Sequence, residues 1–170
     1  GSIRSSFTIA HEGRVQVTVV YRPRVLSGTV AVCFERVDGE HVVEAWVRRF
    51  VAASTFSGFV SFDYIVDESG EAFAIECNPR ATSGIHFIAE ADLARAVAEP
   101  ADPTPLRLRR SRLAQQFYPC LTETQRSLLR DRRNFRHNLS ALFLARDVTF
   151  SLKDPLPFVT MPYTAWPIIA

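Results

Sequence analysis

Asp63, Glu76, Asn78 and Arg80 are the residues of this 170-residue chain whose types and spacing point most directly to chemistry. They lie in residues 57–86, where two runs of alternating polar and apolar residues flank Ser69-Gly70, the pattern of two antiparallel strands joined by a tight turn. With an even-numbered loop centred on Ser69-Gly70, Glu68 faces Glu71, and the ladder runs back through Tyr64:Ile75 to Asp63:Glu76, Phe62:Cys77 and Ser61:Asn78. Because strand side chains alternate, Ser61, Asp63, Glu76, Asn78 and Arg80 share one face; Phe62, Tyr64, Val66, Phe73, Ile75 and Cys77 share the other. A three-residue or bulged loop would break this pairing.

Like charges directly across a strand pair destabilise it, so Asp63 opposite Glu76 calls for compensation. A divalent cation supplies it: carboxylate and amide oxygens are hard ligands suited to Mg²⁺, which takes one or two protein carboxylates and fills its shell with water and phosphate oxygens. The plain alternative is a pair of acids facing solvent on a sheet surface. What favours the cation is the whole string. Gly58-Phe59-Val60-Ser61-Phe62-Asp63 followed by Ala74-Ile75-Glu76-Cys77-Asn78-Pro79-Arg80-Ala81-Thr82-Ser83-Gly84 resembles the metal-binding hairpin of the ATP-grasp superfamily, in the branch of the carbamoyl-phosphate synthetase large subunit and biotin carboxylase. The resemblance covers about residues 5–90. It implies that Asp63, Glu76 and Asn78 hold a pair of Mg²⁺ ions bridging the phosphates of ATP, and that Arg80 is the catalytic arginine contacting the phosphorylated substrate.

Composition sets the frame around these residues. A chain of this length with 47% hydrophobic residues can bury a sizeable core in one domain, or one domain with an appendage. No apolar run approaches the roughly 18 residues of a membrane span, and no signal peptide opens the chain. Cys33, Cys77 and Cys120 have neither metal nor redox spacing, and three is an odd count, so they read as buried thiols of a reducing, cytoplasmic protein. Charge is divided: residues 1–100 carry a net of −4 and residues 101–170 a net of +6. The only lysine is Lys153, whereas the family holds ATP phosphates with lysines on earlier elements, so the resemblance implies a fragment whose parent polypeptide supplies them.

The elements that must position the site read as follows. Residues 7–11 and 15–21 are strand-like around Glu12-Gly13, and Pro23 is expected to end the second strand. Residues 25–29 read as a loop before a third strand at 30–37; Arg22, Arg24 and this loop are candidates for contacting the ATP phosphates, against the plainer reading of surface arginines. After Asp38-Gly39, residues 42–52 show a broad apolar helical face with Trp46 in the core. A second helix is expected from Ile85 to about Ala98, with Thr82 or Ser83 capping it so that its N–H groups aim toward the Arg80 side; His86 reads as a satisfied, partly buried histidine rather than a catalytic base.

From Arg112 to about Arg146 the pattern is helical and rich in arginine, with a break expected near Pro119. Without a recognition motif, these arginines read as a solvated face and not as a nucleic-acid surface. The Pro-rich apolar stretch from Asp154 to the end is expected to pack extended. The chain is therefore read as α+β, a mostly antiparallel sheet flanked by helices: residues 3–100 form the C-terminal part of an ATP-grasp domain and 101–170 a basic helical extension. The implied parent is an ATP-dependent carboxylate-amine or related ligase, a candidate homo-oligomer, that uses ATP, Mg²⁺ and a small-molecule carboxylate and binds neither nucleic acid nor membrane. The isolated fragment is expected to be inactive, and a catalytically silent ATP-grasp-like binding or regulatory module is the alternative.

Overall fold

Apolar–polar alternation carries β1 (Ser2–His11) and β2 (Arg14–Ser27) into an antiparallel pair around Glu12 and Gly13, both at positive φ. A computed structural model describes residues 1–130 and 132–169, with side chains described as far as residue 163. Along it follow β3 (Val30–Arg36), α1 (His41–Ser54), β4 (Gly58–Val66), β5 (Ala72–Asn78), α2 (Glu90–Ala98), β6 (Leu113–Gln115), α3 (Phe117–Arg130), α4 (Arg132–Leu144), β7 (Arg146–Asp147) and α5 (Leu156–Ile169). The described strands form one open sheet in the order β5-β4-β1-β2-β3-β6-β7, antiparallel in the pairs around the site and parallel at β6-β7. The fold is α+β, as the sequence pattern implies. No helix among the described residues is long and apolar enough to cross a membrane.

The chain divides into two compact units, Gly1–Pro23 with Phe34–Arg112, and Arg24–Cys33 with Leu113–Ala170. In the first unit α1 lays Val43, Val47 and Val51, spaced four apart and all fully buried, onto Val60, Phe62 and Tyr64 of β4. Trp46 stacks on Phe50 at 5.8 Å and meets Phe62 and Tyr64 edge-on at 4.9 and 5.5 Å, so it is partly buried and packs against the core. The apolar stripe is narrower than the sequence suggests, because Val42 is about half exposed.

The opposite sheet face is covered differently from expectation. The expected helix over 85–98 is two pieces, a 3₁₀ turn at Ser83–Phe87 and α2. The interruption has a cause in the following loop: the Ala89 N–H donates to the Arg107 carbonyl, the Arg109 N–H donates to the Phe87 carbonyl, and Ile88 bridges to Leu108. Those pairings take backbone groups that a continuous helix would use. The 3₁₀ turn packs Gly84 against Phe7 and Tyr21 so closely that an added Cβ would stand 2.9 Å from the Tyr21 ring and nearer still to Phe7.

The same loop is pinned by a buried carboxylate. Asp92 accepts from the Arg107 N–H (2.9 Å) and Nε (2.8 Å) and from Arg95 Nη2 (3.4 Å), while Arg95 Nη1 donates to Asp102 at 2.7 Å. Hydrogen bonds from Arg107 hold the Asp92 pKa down at about 2; those from Thr104 and then Arg95 do the same for Asp102. Arg107, Arg109 and Arg112, read as part of a basic stretch, are ion-paired with Asp92, Glu90 and Asp38.

Two proline expectations are corrected. Pro23 does not end β2, which runs to Ser27; the pairing with β1 ends at Tyr21, so the missing N–H costs that ladder nothing. Pro119 does not break a helix: it sits in the first turn of α3, where an N–H has no partner inside the helix, and the Phe117 N–H is met by Asp147 Oδ2 at 2.7 Å. The second unit buries Val25, Val32, Cys33, Cys120 and Ala141 together. Burial pushes the Cys120 thiol up to about 11, and Cys33 is buried too; Cys77, by contrast, is exposed, since its strand lies at the sheet edge. The tail is helical over α5, not extended.

Two predictions follow from the first unit. Gly84→Ala should lower unfolding free energy by about 1–3 kcal/mol in chemical denaturation, because its Cβ has no room against Phe7 and Tyr21. Since Asp92 and Asp102 bind protons more weakly folded than unfolded, their contribution is complete above the unfolded value near 3.8 and lost as pH falls toward 2. Acid titration of Asp92→Asn should therefore show lower stability at neutral pH and a shallower decline across that window.

Candidate functional site

β4 and β5 pair with Ser61 opposite Asn78, Phe62 opposite Cys77 and Asp63 opposite Glu76, the register the sequence pattern requires. The route to it is different. Val66 pairs with Ala72, the Asp67 N–H donates to the Glu71 carbonyl at 3.0 Å, and three residues remain at the tip. That odd loop would shift the register by one, but Ile75 is bulged out between the pairs Tyr64:Ala74 and Asp63:Glu76, and the two offsets cancel. The tip is held by Asp67, whose Oδ1 accepts from Ser69 Oγ (2.7 Å), the Ser69 N–H (2.9 Å) and the Glu71 N–H (2.9 Å); these bonds lower its pKa.

The bulge also redistributes side chains. Phe73 now opposes Ile65 and shares the Asp63 face, not the Phe62 face, and both are exposed at 49% and 41%. Phe62 and Tyr64 remain buried against α1, while Ile75 and Cys77, expected beside them, are exposed on the edge strand.

Asp63 is half-buried and accepts from Ser5 Oγ at 2.6 Å; Ser5 is its neighbour on β1. Glu76 is exposed, and its Oε1 accepts from Asn78 Nδ2 at 2.9 Å. Each acid thus has a neutral donor sharing its charge. Arg80 is exposed on the turn leaving β5: its N–H donates to the Asn78 carbonyl at 2.8 Å and its Nη1 to the Ala81 carbonyl at 3.3 Å.

Beneath these groups runs a chain of hydroxyls. Tyr21 donates to Thr82 Oγ1 (3.0 Å), Thr82 and Ser61 are 2.8 Å apart, and Ser61 Oγ reaches the Arg80 carbonyl at 3.2 Å. Burial raises the Tyr21 pKa, with the nearby Asp63 charge adding to the effect, so the phenol stays a donor. The Thr82 side chain makes no cap bond to the 3₁₀ turn that follows, which corrects its expected role as a helix cap; its carbonyl accepts from the Ile85 N–H at 3.1 Å. The bonds of Ser5 to Asp63 and of Tyr21 to Thr82 are not legible in the sequence because they join residues 58 and 61 apart and no local spacing marks them.

Asp63, Glu76, Asn78 and Arg80 are therefore brought to one end of one hairpin. Arg22 is not with them: it alternates with Tyr21 on β2, which puts it on the reverse face from Asp63, and it is ion-paired with Glu35 at 2.9 Å. Arg24 belongs to the second unit, where its carbonyl meets His137 Nε2. His86 lies half-buried in the 3₁₀ turn.

No three His, Cys, Asp or Glu side chains converge as a metal cage among the described residues. Two opposed carboxylates and an amide are instead an incomplete set of hard oxygen donors, which fits Mg²⁺ completed by water and phosphate rather than a self-sufficient metal site.

No protein-family model and no curated protein matches the chain. Solved structures of ATP-grasp enzymes do match about half of it or somewhat more. Pyruvate carboxylase of Rhizobium etli aligns at 17% identity over 64% of this chain and 13% of that one, with a TM-score of 0.48. The biotin carboxylase domain of a thermophilic 2-oxoglutarate carboxylase aligns at 12% over 48% and 20%, with a TM-score of 0.40. N5-carboxyaminoimidazole synthase of Aspergillus clavatus, solved with ADP, aligns at 12% over 51% and 24%, with a TM-score of 0.39. The chain thus spans about a quarter or less of each.

Thr82→Val should leave the Tyr21 hydroxyl and Ser61 Oγ short of a partner and cost about 1–3 kcal/mol in chemical denaturation. Thr82→Ser should recover most of it.

Proposed function

We propose that this chain is the metal- and phosphate-binding part of an ATP-grasp ligase, whose parent activates a carboxylate as an acyl phosphate for attack by an amine or another nucleophile. The observation that carries this reading is the register: two carboxylates set directly across a strand pair, with an amide and then an arginine next along the same hairpin. Such a pair repels until a cation lies between its oxygens. The motif resemblance of residues 58–63 and 74–84 points the same way.

In this reading Asp63, Glu76 and Asn78 hold Mg²⁺, which when bound neutralises phosphate charge and polarises phosphoryl oxygens. Ser5 keeps the Asp63 carboxylate turned to one position, so little side-chain freedom remains to be lost on binding. Asn78 donates through Nδ2 to Glu76, which leaves its amide oxygen free to be offered as a ligand. Arg80, anchored through its backbone by Ser61 and the Asn78 carbonyl, offers a planar fork of donors to the oxygens of the carboxylate and its phosphorylated product. The opposite wall of the nucleotide pocket, with phosphate-binding lysines, belongs in this proposal to the parent polypeptide.

Mn²⁺ added with a non-hydrolysable ATP analogue to the isotope-labelled chain tests the assignment through paramagnetic broadening. Amide signals of residues 61–64 and 75–80 should fade first, and Glu76→Gln should abolish the effect at the same ion concentration. Broadening centred on the acidic tip at residues 67–71, or undiminished in Glu76→Gln, would reject it.

A further inference from the structure

Along β4 the face that carries Asp63 also carries Ser61 and then Phe59, and at the Phe59 end the sheet opens into a cleft of about 540 Å³. That volume is in the range of small-molecule sites, about 300–1,000 Å³. Its apolar walls are Ile9, Phe59, Pro79 and Val97, and its charged or titratable side chains are Arg80 and His11. Phe59 is held edge-on against Phe7 at 5.6 Å, and its partner across the strands, Ile9, is fully buried, so the floor is preformed. Val97, on α2, is 63% exposed at the rim.

Resting on the function proposed above, we infer that this cleft takes the body of the carboxylate substrate, and that the substrate is an apolar monocarboxylic acid with an aryl or branched alkyl body. The geometry runs in one direction: Asp63 and Glu76 where phosphate is held, Arg80 next, then apolar walls. A carboxylate paired with Arg80 sits between the phosphate site and the cleft, and its hydrocarbon body fills the space over Phe59. Among the described residues neither Asp nor Glu lines the cleft, so the ammonium group of an amino acid finds no counter-charge there and its desolvation is uncompensated. A second carboxylate over Ile9 and Phe59 would lose its hydration there with Arg80 already engaged by the first.

The test needs neither nucleotide nor metal. Phenylacetate titrated into the labelled chain should produce saturable shifts at Phe59, Arg80 and Val97. Phenylacetamide, which lacks the charge, and phenylglycine, which adds an ammonium, should each bind at least about tenfold more weakly. Arg80→Gln and Val97→Glu should weaken phenylacetate by about tenfold or more, the second placing a like charge at an exposed rim position that the fold tolerates. No saturable shift, equal binding of all three compounds, or indifference to Val97→Glu would overturn the inference. Failure here alongside Mn²⁺ broadening that depends on Glu76 would remove the cleft alone; loss of that broadening would remove the nucleotide reading whatever phenylacetate does.

Discussion

Two carboxylates held face to face across one strand pair repel each other, and much of the first unit serves to keep Asp63 and Glu76 there. β4 is fixed from both sides of the sheet. Val60, Phe62 and Tyr64 are clamped beneath α1 by Trp46, Val43 and Val47, while Ser61 is tied through Thr82 to Tyr21 on β2. With β4 fixed, the position of Glu76 depends only on register, and register depends on the cancelling of an odd loop against one bulge. Local neutral donors, Ser5 and Asn78, lower the repulsion without removing either charge.

The second constraint is how the chain leaves the hairpin. Arg80 lies on a turn, and a turn is as precise as its anchoring. Ser61 holds its carbonyl, and Gly84, pressed against Phe7 and Tyr21, brings the 3₁₀ turn down onto the sheet within four residues. The loop that follows α2 is pinned by Asp92, so the wall of the cleft containing Val97 stands on a helix whose far end is also tied down. Packing and charge thus act in series, from β1 to the rim.

Much of this was legible in the sequence because the signals are local. The alternation in residues 58–66 and 72–78, and the order acid, Glu, Asn, Arg, led to the right register and to one face for the acids. An even loop and a regular ladder would put Phe73 on the Phe62 face, however, and alternation alone does not mark the bulge at Ile75 that moves it to the other. The long helix expected over 85–98 failed for a tertiary reason, since the groups that break it belong to residues 107–109. Pro23 and Pro119 misled because proline's effect depends on which N–H is missing, and both occupy positions where none is needed. The hydroxyl chain from Tyr21 to Ser61 joins residues far apart in sequence and carries no pattern at all.

The strand order also has a bearing on how copies of this chain behave toward one another. Among the described strands β5 lies at one end of the sheet with β4 beside it, so one row of its backbone donors and acceptors faces away from the sheet, next to the exposed side chains of Phe73 and Ile75. Such an edge is a template for pairing with a strand from another molecule. The bulge at Ile75 twists it, and Glu71 and Glu76 bracket the apolar stretch with like charges, both of which discourage a second copy from docking in line. Glu76 would then also act as a gatekeeper against self-association, and neutralising it would bring the chain closer to fibrillar, edge-to-edge assembly.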